Sequence, residues 1–242
     1  MKNLNLVQAI DRRTSKRIFK KQPVPSDLLN EISLLINKYN NESKLNLQII
    51  DNAEKAFKSF LISYGKFKGI KNAIALVANK EVENYLEKVG FFGEQLLLRI
   101  VTMGLDTCWV GVNFNRKADV FKLDENEELV AVIVFGFAED LPTKFEDDKY
   151  GITHRSTITI EAMTTNDQIL PHNVEEGIVA ILKAPSAKNK QPVKVEYKNK
   201  LLRLMVDPKP VENLVELGIA KAHYCIVNGG RFEWGNGQVY KL

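Results

Sequence analysis

Ala184-Pro185-Ser186-Ala187-Lys188-Asn189-Lys190-Gln191-Pro192 is the stretch on which the reading of this chain turns. Two prolines and three small residues punctuate it, and a hydroxyl and two side-chain amides sit among them. Such a segment reads as a loop, because proline and small polar residues favour turns over ladders and helices. It follows an apolar helical run, Glu175 to Lys183, and precedes a short strand pattern, Val193 to Tyr197. A loop of this kind brings backbone and side-chain donors close to a flat polar ligand. A plain polar turn between helix and strand has the same composition.

Outward from the loop, helical and strand patterns alternate. Leu4 to Arg12 reads as a short helix with Leu6, Val7 and Ile10 on one face. Ser26 is the expected N-cap of a helix from Asp27 to Lys38, whose stripe is Leu28, Ile32, Leu35 and Ile36. Leu45 to Ile50 reads as a strand, Ala53 to Ser63 as a helix, and Ala73 to Ala78 as a buried strand. Val82 to Met103 is the longest helical pattern, and Gly104 follows it as a left-handed terminus. Thr107 to Val112 and Leu129 to Phe137 are apolar enough for buried strands. Pro142 to Asp148, charged and turn-rich, is the expected crossover between two halves. Beyond the loop, Lys200 to Val206 reads as a strand and Val211 to Cys225 as an apolar helix. Asn228-Gly229-Gly230 opens a final hairpin that turns at Gly235-Asn236-Gly237. A helix–glycine–strand likeness pairs EQLLLRIVTMGLDTCWVGV from Glu94 with ENLVELGIAKAHYCIV from Glu212. Pattern alone does not separate duplication from chance here. The alternation of elements indicates an α+β or α/β chain with layered packing.

The 242 residues, 45% hydrophobic and 26% charged, are enough for one large core or two small ones. A net charge of +4, spread without like-charge blocks, suits a small anionic ligand and does not by itself argue for nucleic acid. No apolar run approaches the length of a membrane span, and the N-terminal segment has no secretory pattern. Cys108 and Cys225 lack metal or redox spacing, Cys108 reads as a buried thiol, and a cytoplasmic location is expected. His172 and His223 have no partners at ligand spacing, so no metal is expected. Neither a G-x-G-x-x-G fingerprint nor a P-loop occurs.

Arg13-Thr14-Ser15-Lys16-Arg17-Ile18-Phe19 places Arg13, Ser15 and Arg17 on one face if the segment is extended. Two guanidinium groups flanking a hydroxyl suit a phosphate and an anionic ring edge. A solvated basic turn anchored by Phe19 fits the same spacing. Cys108 and Trp109 read as core side chains, and Glu94, on an otherwise apolar helix, fits a paired structural carboxylate.

Three stretches resemble the nitroreductase-like FMN oxidoreductases. RTSKRIFKKQPVP resembles that family's R-x-S-x-R-x-F signature with its proline-containing loop. APSAKNKQP resembles its A-P-S-x-x-N-x-Q-P segment, with Val193 where the family usually has Trp. Gly93-Glu94-Gln95 through Gly111 resembles G-x-x-x-E followed by GLGTCWVGG, with Asp106 in place of a glycine. The resemblance implies an α+β nitroreductase-like fold of two pseudo-repeated halves, 1–160 and 161–242, with antiparallel or mixed central sheets flanked by helices. It implies FMN as cofactor and NAD(P)H as co-substrate. Arg13 and Ser15 would hold the phosphate and ribityl chain, and Arg17 would lie near the N1/O2 edge of the ring. A shifted register would use Arg12, Thr14 and Lys16, but Phe19 and Pro23 favour the first. Pro185, Ser186 and Asn189 would line the flavin, with Gln191 supporting the loop. Backbone from Trp109 to Gly111 would approach it, and Arg155, in Thr153-His154-Arg155-Ser156, would reach the phosphate.

Hydride would pass from NAD(P)H through flavin N5 to a nitroaromatic or quinone-like acceptor, with no catalytic side chain. Family members are usually homodimers in which one subunit gives the arm and the other the loop. Here Asn37 to Ile50 has no Pro-Ser, and Asn166 to Gly177 has no basic arm. The chain thus resembles a fused, asymmetrically decayed dimer with one FMN site and a monomeric working unit. The alternative is a flavin-binding protein without turnover, acting in sensing or FMN storage. Dehalogenation or flavin cleavage on the same fold comes third, and RNA binding a distant fourth.

Overall fold

Two apolar runs make the centre of the fold. In the computed structural model, which describes residues 4–58, 67–140 and 158–242, they are β2 (Asn72–Asn79) and β4 (Glu127–Gly136). They pair antiparallel with Ile74 opposite Ile133. β1 (Asn46–Ile50) joins the free side of β2, and β3 (Asp106–Val110) joins that of β4. The order is β1-β2-β4-β3, antiparallel throughout. Both faces are covered, so the central strands are apolar at nearly every position instead of alternating. Ile74, Leu76, Ile133 and Phe135 face one cluster, which includes α2 (Ser26–Ser43) and α4 (Tyr85–Thr102). Ala75, Val77, Val132 and Val134 face another with Phe57, Phe114 and Phe121. Leu96, Leu97 and Ile100 of α4 are wholly buried, each contributing about 2 kcal/mol of transfer free energy.

A second, smaller sheet follows. β5 (Thr164–Asn166) runs parallel to β6 (Lys194–Lys198), which pairs antiparallel with β7 (Leu201–Met205). The hairpin β8 (Arg231–Phe232) and β9 (Tyr240–Lys241) reaches β7 through an Arg203–Val239 bridge. With that single antiparallel bridge standing for the link between β7 and β9, the succession β6-β7-β9-β8 follows the order of β1-β2-β4-β3, with β5 added beside β6. α6 (His172–Leu182) and α7 (Glu212–Asn228) cover this sheet, with Ile178, Leu204, Leu217 and Tyr224 in its core. The shorter helices are α1 (Leu6–Arg12), α3 (Glu54–Phe57) and α5 (Ile160–Met163). Among the described residues no helix is long and apolar enough to cross a membrane.

α4 and α7 cross at two glycines. A Cβ on Gly90 would sit 1.9 Å from the carbonyl oxygen of Val215, and one on Gly218 would sit 1.9 Å from that of Glu87. The contacts are reciprocal. Gly90 meets Val215 and Ile219, while Gly218 meets Glu87 and Phe91. Neither helix could approach so closely with any larger residue.

This crossing corrects two expectations. α7 is one continuous helix, as expected from Val211 to Cys225, so the helix–glycine–strand likeness fails: HYCIV is not a strand and Gly218 does not end a helix. The local likeness between Gly104 and Gly218 is replaced by Gly90 with Gly218, because helix-on-helix burial makes the glycine a contact and not a terminus. Ser26 is not an N-cap either. α2 begins at Ser26 itself, Pro25 precedes it with φ −56°, and no side chain caps it. Proline's fixed φ already suits the helix entry. α2 also runs past Lys38 to Ser43, ending at left-handed Lys44. Most of the Ala53–Ser63 helix can be compared only over Glu54–Phe57, since residues 59–66 are outside the described residues, as is the Pro142–Asp148 crossover.

Candidate functional site

The basic arm leaves α1 at Arg13, meets the open edge of β3 at Thr107, and then pairs with Lys68 and with Phe137 to Glu139. Ser15 pairs in parallel with Thr107, and the Lys16 amide donates to the Thr107 carbonyl at 3.0 Å. Phe19 is buried and bridges Ala138, fixing the far end. Arg13 is only 7% exposed, whereas Arg12 is exposed on α1. Arg13 Nη1 reaches Ser15 Oγ at a long 3.5 Å. Arg13 Nε, Arg17 Nη1 and Thr107 Oγ1 are buried without a partner among the described residues. Buried donors are normally satisfied, so three orphans on the arm and the β3 residue it meets fit an anion such as a phosphate. Both guanidinium groups act on Cys108, whose thiol burial pushes up while Arg17 and Arg13 pull it down. Burial likewise lowers the pKa of Arg13, opposed by Glu94 and Cys108.

Behind Arg13 lies a buried chain that the sequence did not reveal. Glu94, fully buried on α4, accepts from Trp109 Nε1 at 2.7 Å and pairs with His223 Nε2 of α7 at 2.9 Å. His223 Nδ1 lies 2.8 Å from the Ala180 carbonyl of α6. That carbonyl accepts only if Nδ1 carries a proton. Burial alone would raise the Glu94 pKa, but His223, Arg13 and Trp109 together hold it below the usual carboxylate value. The expected structural role of Glu94 is thus met by a partner far along the chain. A second buried pair joins the same helices, Lys221 Nζ to Glu87 Oε1 at 2.6 Å. Lys221 also donates to the carbonyls of Glu233 and Gly235, and Glu87 Oε2 accepts the Gly235 N–H.

The loop sits beyond α6. Its root touches the root of the arm, because Lys183 pairs with Asp11 at 2.5 Å. Arg13 and Pro185 each lie two residues past that ion pair. Gln191 braces the loop, its Nε2 donating to Leu182 O and its amide to Ser186 Oγ. The Ser186 hydroxyl oxygen is therefore engaged within the loop. Asn189 is half-buried, and no side-chain bond is described for it. Lys188, Asn189 and Gln191 all have φ between 46° and 54°, a region that side chains other than glycine resist. Glu216 of α7 enters from below, Oε1 accepting the Ala187 N–H at 2.6 Å. Burial pushes its pKa up to about 7 against that hydrogen bond and the charge of Lys190, with Glu212 adding to the rise.

Pro185, Ser186, Gln191 and Glu216 line a cavity of about 10 Å³. A larger groove of about 420 Å³ lies between α1 and α6, lined by residues such as Val7, Asp11, Glu175 and Lys183. Neither cavity is lined by Arg13, Ser15, Arg17 or Gly111. Arm and loop are thus neighbours at their roots without sharing either cavity. Gly111, just past β3, has open space where a Cβ would project, and its carbonyl accepts from Arg116 Nη2 at 2.6 Å. Arg155 and His154 lie outside the described residues. Among the described residues no three His, Cys, Asp or Glu side chains gather in a way that would hold a metal.

A family model described as "Putative TM nitroreductase" matches residues 5–227. The fold resembles the crystal structure of a "putative nitroreductase" of Thermotoga maritima MSB8, with TM-score 0.66 and 24% identity over 99% of this chain and 94% of that one. A nitroreductase with bound FMN from Bacteroides fragilis NCTC 9343 overlaps 67% of this chain and 98% of its own, with 13% identity and TM-score 0.49, too distant to carry an argument. A search of curated proteins returned no match. With the family pattern spanning the arm, both crossing helices and the loop, this chain belongs to the TM nitroreductase family.

Proposed function

We propose that this chain is an FMN-dependent oxidoreductase that uses NAD(P)H to reduce a nitroaromatic or quinone-like acceptor. One observation carries the reading. In a nitroreductase-family chain, Arg13 Nε, Arg17 Nη1 and Thr107 Oγ1 are buried donors without a partner among the described residues, gathered on the arm and the β3 residue it meets. A dianionic phosphate on a flat heterocycle is the ligand whose chemistry answers them. FMN, when bound, supplies the two-electron exchange between nicotinamide and acceptor.

The residues of the chain then bind and orient. Arg13 and Ser15 hold the phosphate end, and Arg17 places positive charge beside the ring edge that becomes anionic on reduction. Glu94, held by His223 and Trp109, balances the buried Arg13 charge. Gly111 leaves backbone open to the ring, and Pro185, Ser186 and Asn189 cover it from the other half. Arg155 is the proposed further phosphate ligand. No side chain acts as acid or base.

Residues 1–160 and 161–242 form two half-units, and one site is assembled from both in a monomeric, cytoplasmic protein. The reciprocal Gly90 and Gly218 contacts and the repeated strand succession support this arrangement. The test is the visible spectrum and flavin content of freshly purified protein, followed by NADPH oxidation with a nitroaromatic acceptor. One FMN per chain with turnover is expected. Two flavins per chain, or binding only by a dimer, would sink the single-site arrangement, and bound FMN without turnover would favour a storage or sensing protein. Arg13→Ala removes a charge-assisted contact and is expected to weaken FMN binding by about 10- to 100-fold.

A further inference from the structure

Glu216 presents a problem that the site does not otherwise use. It is 7% exposed, its Oε1 accepts the Ala187 N–H at 2.6 Å, and its Oε2 is buried with no donor among the described residues. Gln191 Oε1 is buried without a donor as well, and both residues line the same cavity of about 10 Å³. Two bare acceptors facing one small space are costly, since each loses its hydration and gains nothing in return. A single proton between them removes both deficits.

We propose that Glu216 is a positioning residue for the loop, its carboxyl proton bonding Oε2 to Gln191 Oε1 while Oε1 holds the Ala187 N–H. The loop would then be tied at both ends by one side chain. Ala187 lies directly after Ser186, and Gln191 two positions past Asn189, so the tie brackets the residues assigned to the flavin. This inference rests on the reading that the loop contacts FMN.

The groups around Glu216 are few. From the loop comes Lys190, which favours the ionised form, and from its own helix Glu212, which opposes it. The other elements present Met163, Ile181 and Val193, which carry no charge. Burial pushes the Glu216 pKa up to about 7. The proton is therefore held in mildly acid solution and released as the pH passes through neutrality. On release Gln191 Oε1 loses its donor and faces a carboxylate, which loosens that end of the loop to its bonds with Leu182 and Ser186 while Ala187 stays bound.

The test compares wild type with Glu216→Gln from pH 5.5 to 9. In that variant the amide NH₂ can donate to Gln191 Oε1 at every pH while its oxygen still accepts from Ala187. FMN dissociation constants by fluorescence quenching give the wild-type to variant ratio, which cancels the titration of the FMN phosphate itself. Amide exchange at Gln191, whose N–H donates to Ser186 Oγ, expressed as a protection factor without FMN, reports whether that end of the loop is held. The ratio is expected to stay near one at pH 6 and to rise about fivefold by pH 8.5, the size of one hydrogen bond lost. Protection at Gln191 should fall over the same range in wild type only. A flat ratio in proteins that bind FMN overturns the inference, whether or not protection changes. If neither protein binds FMN, a pH-dependent protection confined to wild type leaves the tie standing and sinks the flavin reading instead. Flat protection without FMN binding sinks both.

Discussion

α4 and α7 cross through the same pair of close contacts, yet they carry opposite chemistry. The reciprocity of these contacts makes Gly90 the counterpart of Gly218, Glu87 that of Val215 and Gly93 that of Lys221. The backbone contact is reciprocal, as across a two-fold axis. The buried charges are not. α4 supplies both acids, Glu87 and Glu94, and α7 supplies both basic partners, Lys221 and His223. Two copies of α4 crossed in this way would face Glu87 with Gly93, and two copies of α7 would face Lys221 with Val215. Either pairing leaves a buried charge alone. A buried ion pair adds little net stability, but breaking one is costly, so the sorted charges select the unlike pairing over both like ones.

The strongest way to break this comparison is at the glycines. Gly218→Ala places a methyl group 1.9 Å from the Glu87 carbonyl and is expected to cost about 4 kcal/mol or more, the range of a severe core defect. Gly90→Ala should cost as much, because its own contact is equally close. Thermal unfolding of both variants checks the symmetry, and a mild effect at one site alone would refute it. The charges come next. Lys221→Met strands Glu87 and should cost about 3 kcal/mol. Adding Glu87→Gln removes the stranded charge while keeping an acceptor for the Gly235 N–H, and urea denaturation should show at least half of the loss recovered.

A smaller effect distinguishes the halves by pH. The counterpart of Glu216 on α4 is Lys88, which is placed over the Trp234 ring. Glu216 binds its proton more tightly folded than unfolded. Ionisation of the unfolded chain, starting near pH 4.5, therefore erodes stability, and the loss levels off once the pH exceeds about 7. The decline is on the order of 2 kcal/mol. Glu216→Gln should flatten it in denaturation curves across that window, whereas Lys88→Met should leave it unchanged. The smallest effect belongs to Gly111. Its Cβ would meet open space, so Gly111→Ala should change stability by less than about 0.5 kcal/mol. If Gly111 faces the cofactor, the same variant lowers FMN affinity while the melting temperature of the flavin-free protein stays put.

What could be seen in the residues was whatever is local. β2 and β4 announce themselves as unbroken apolar runs, and α4 as a long stripe ending at Gly104, which indeed has φ 86°. The arm and loop were legible by spelling alone. Apart from Ser26, where the adjacent Pro25 decides, the misreadings were cases in which a distant partner decides. HYCIV has strand-like content but continues α7 because it packs against α6 and the second sheet. His223 looked isolated because its partner Glu94 lies on another helix. Lys221, a charged residue in a helix, gives no local sign of being fully buried. Glu216 was invisible for the same reason, since its meaning comes from an amide contributed by the loop.

The left-handed backbone at Lys188, Asn189 and Gln191 has a consequence for motion. Conformations of this kind cost about 1–3 kcal/mol each and persist only where the surroundings enforce them. Ala184–Pro192 is therefore a bent spring and not a slack tether. Released from its clasps, it would leave for a different shape in one step, rather than wander around the present one.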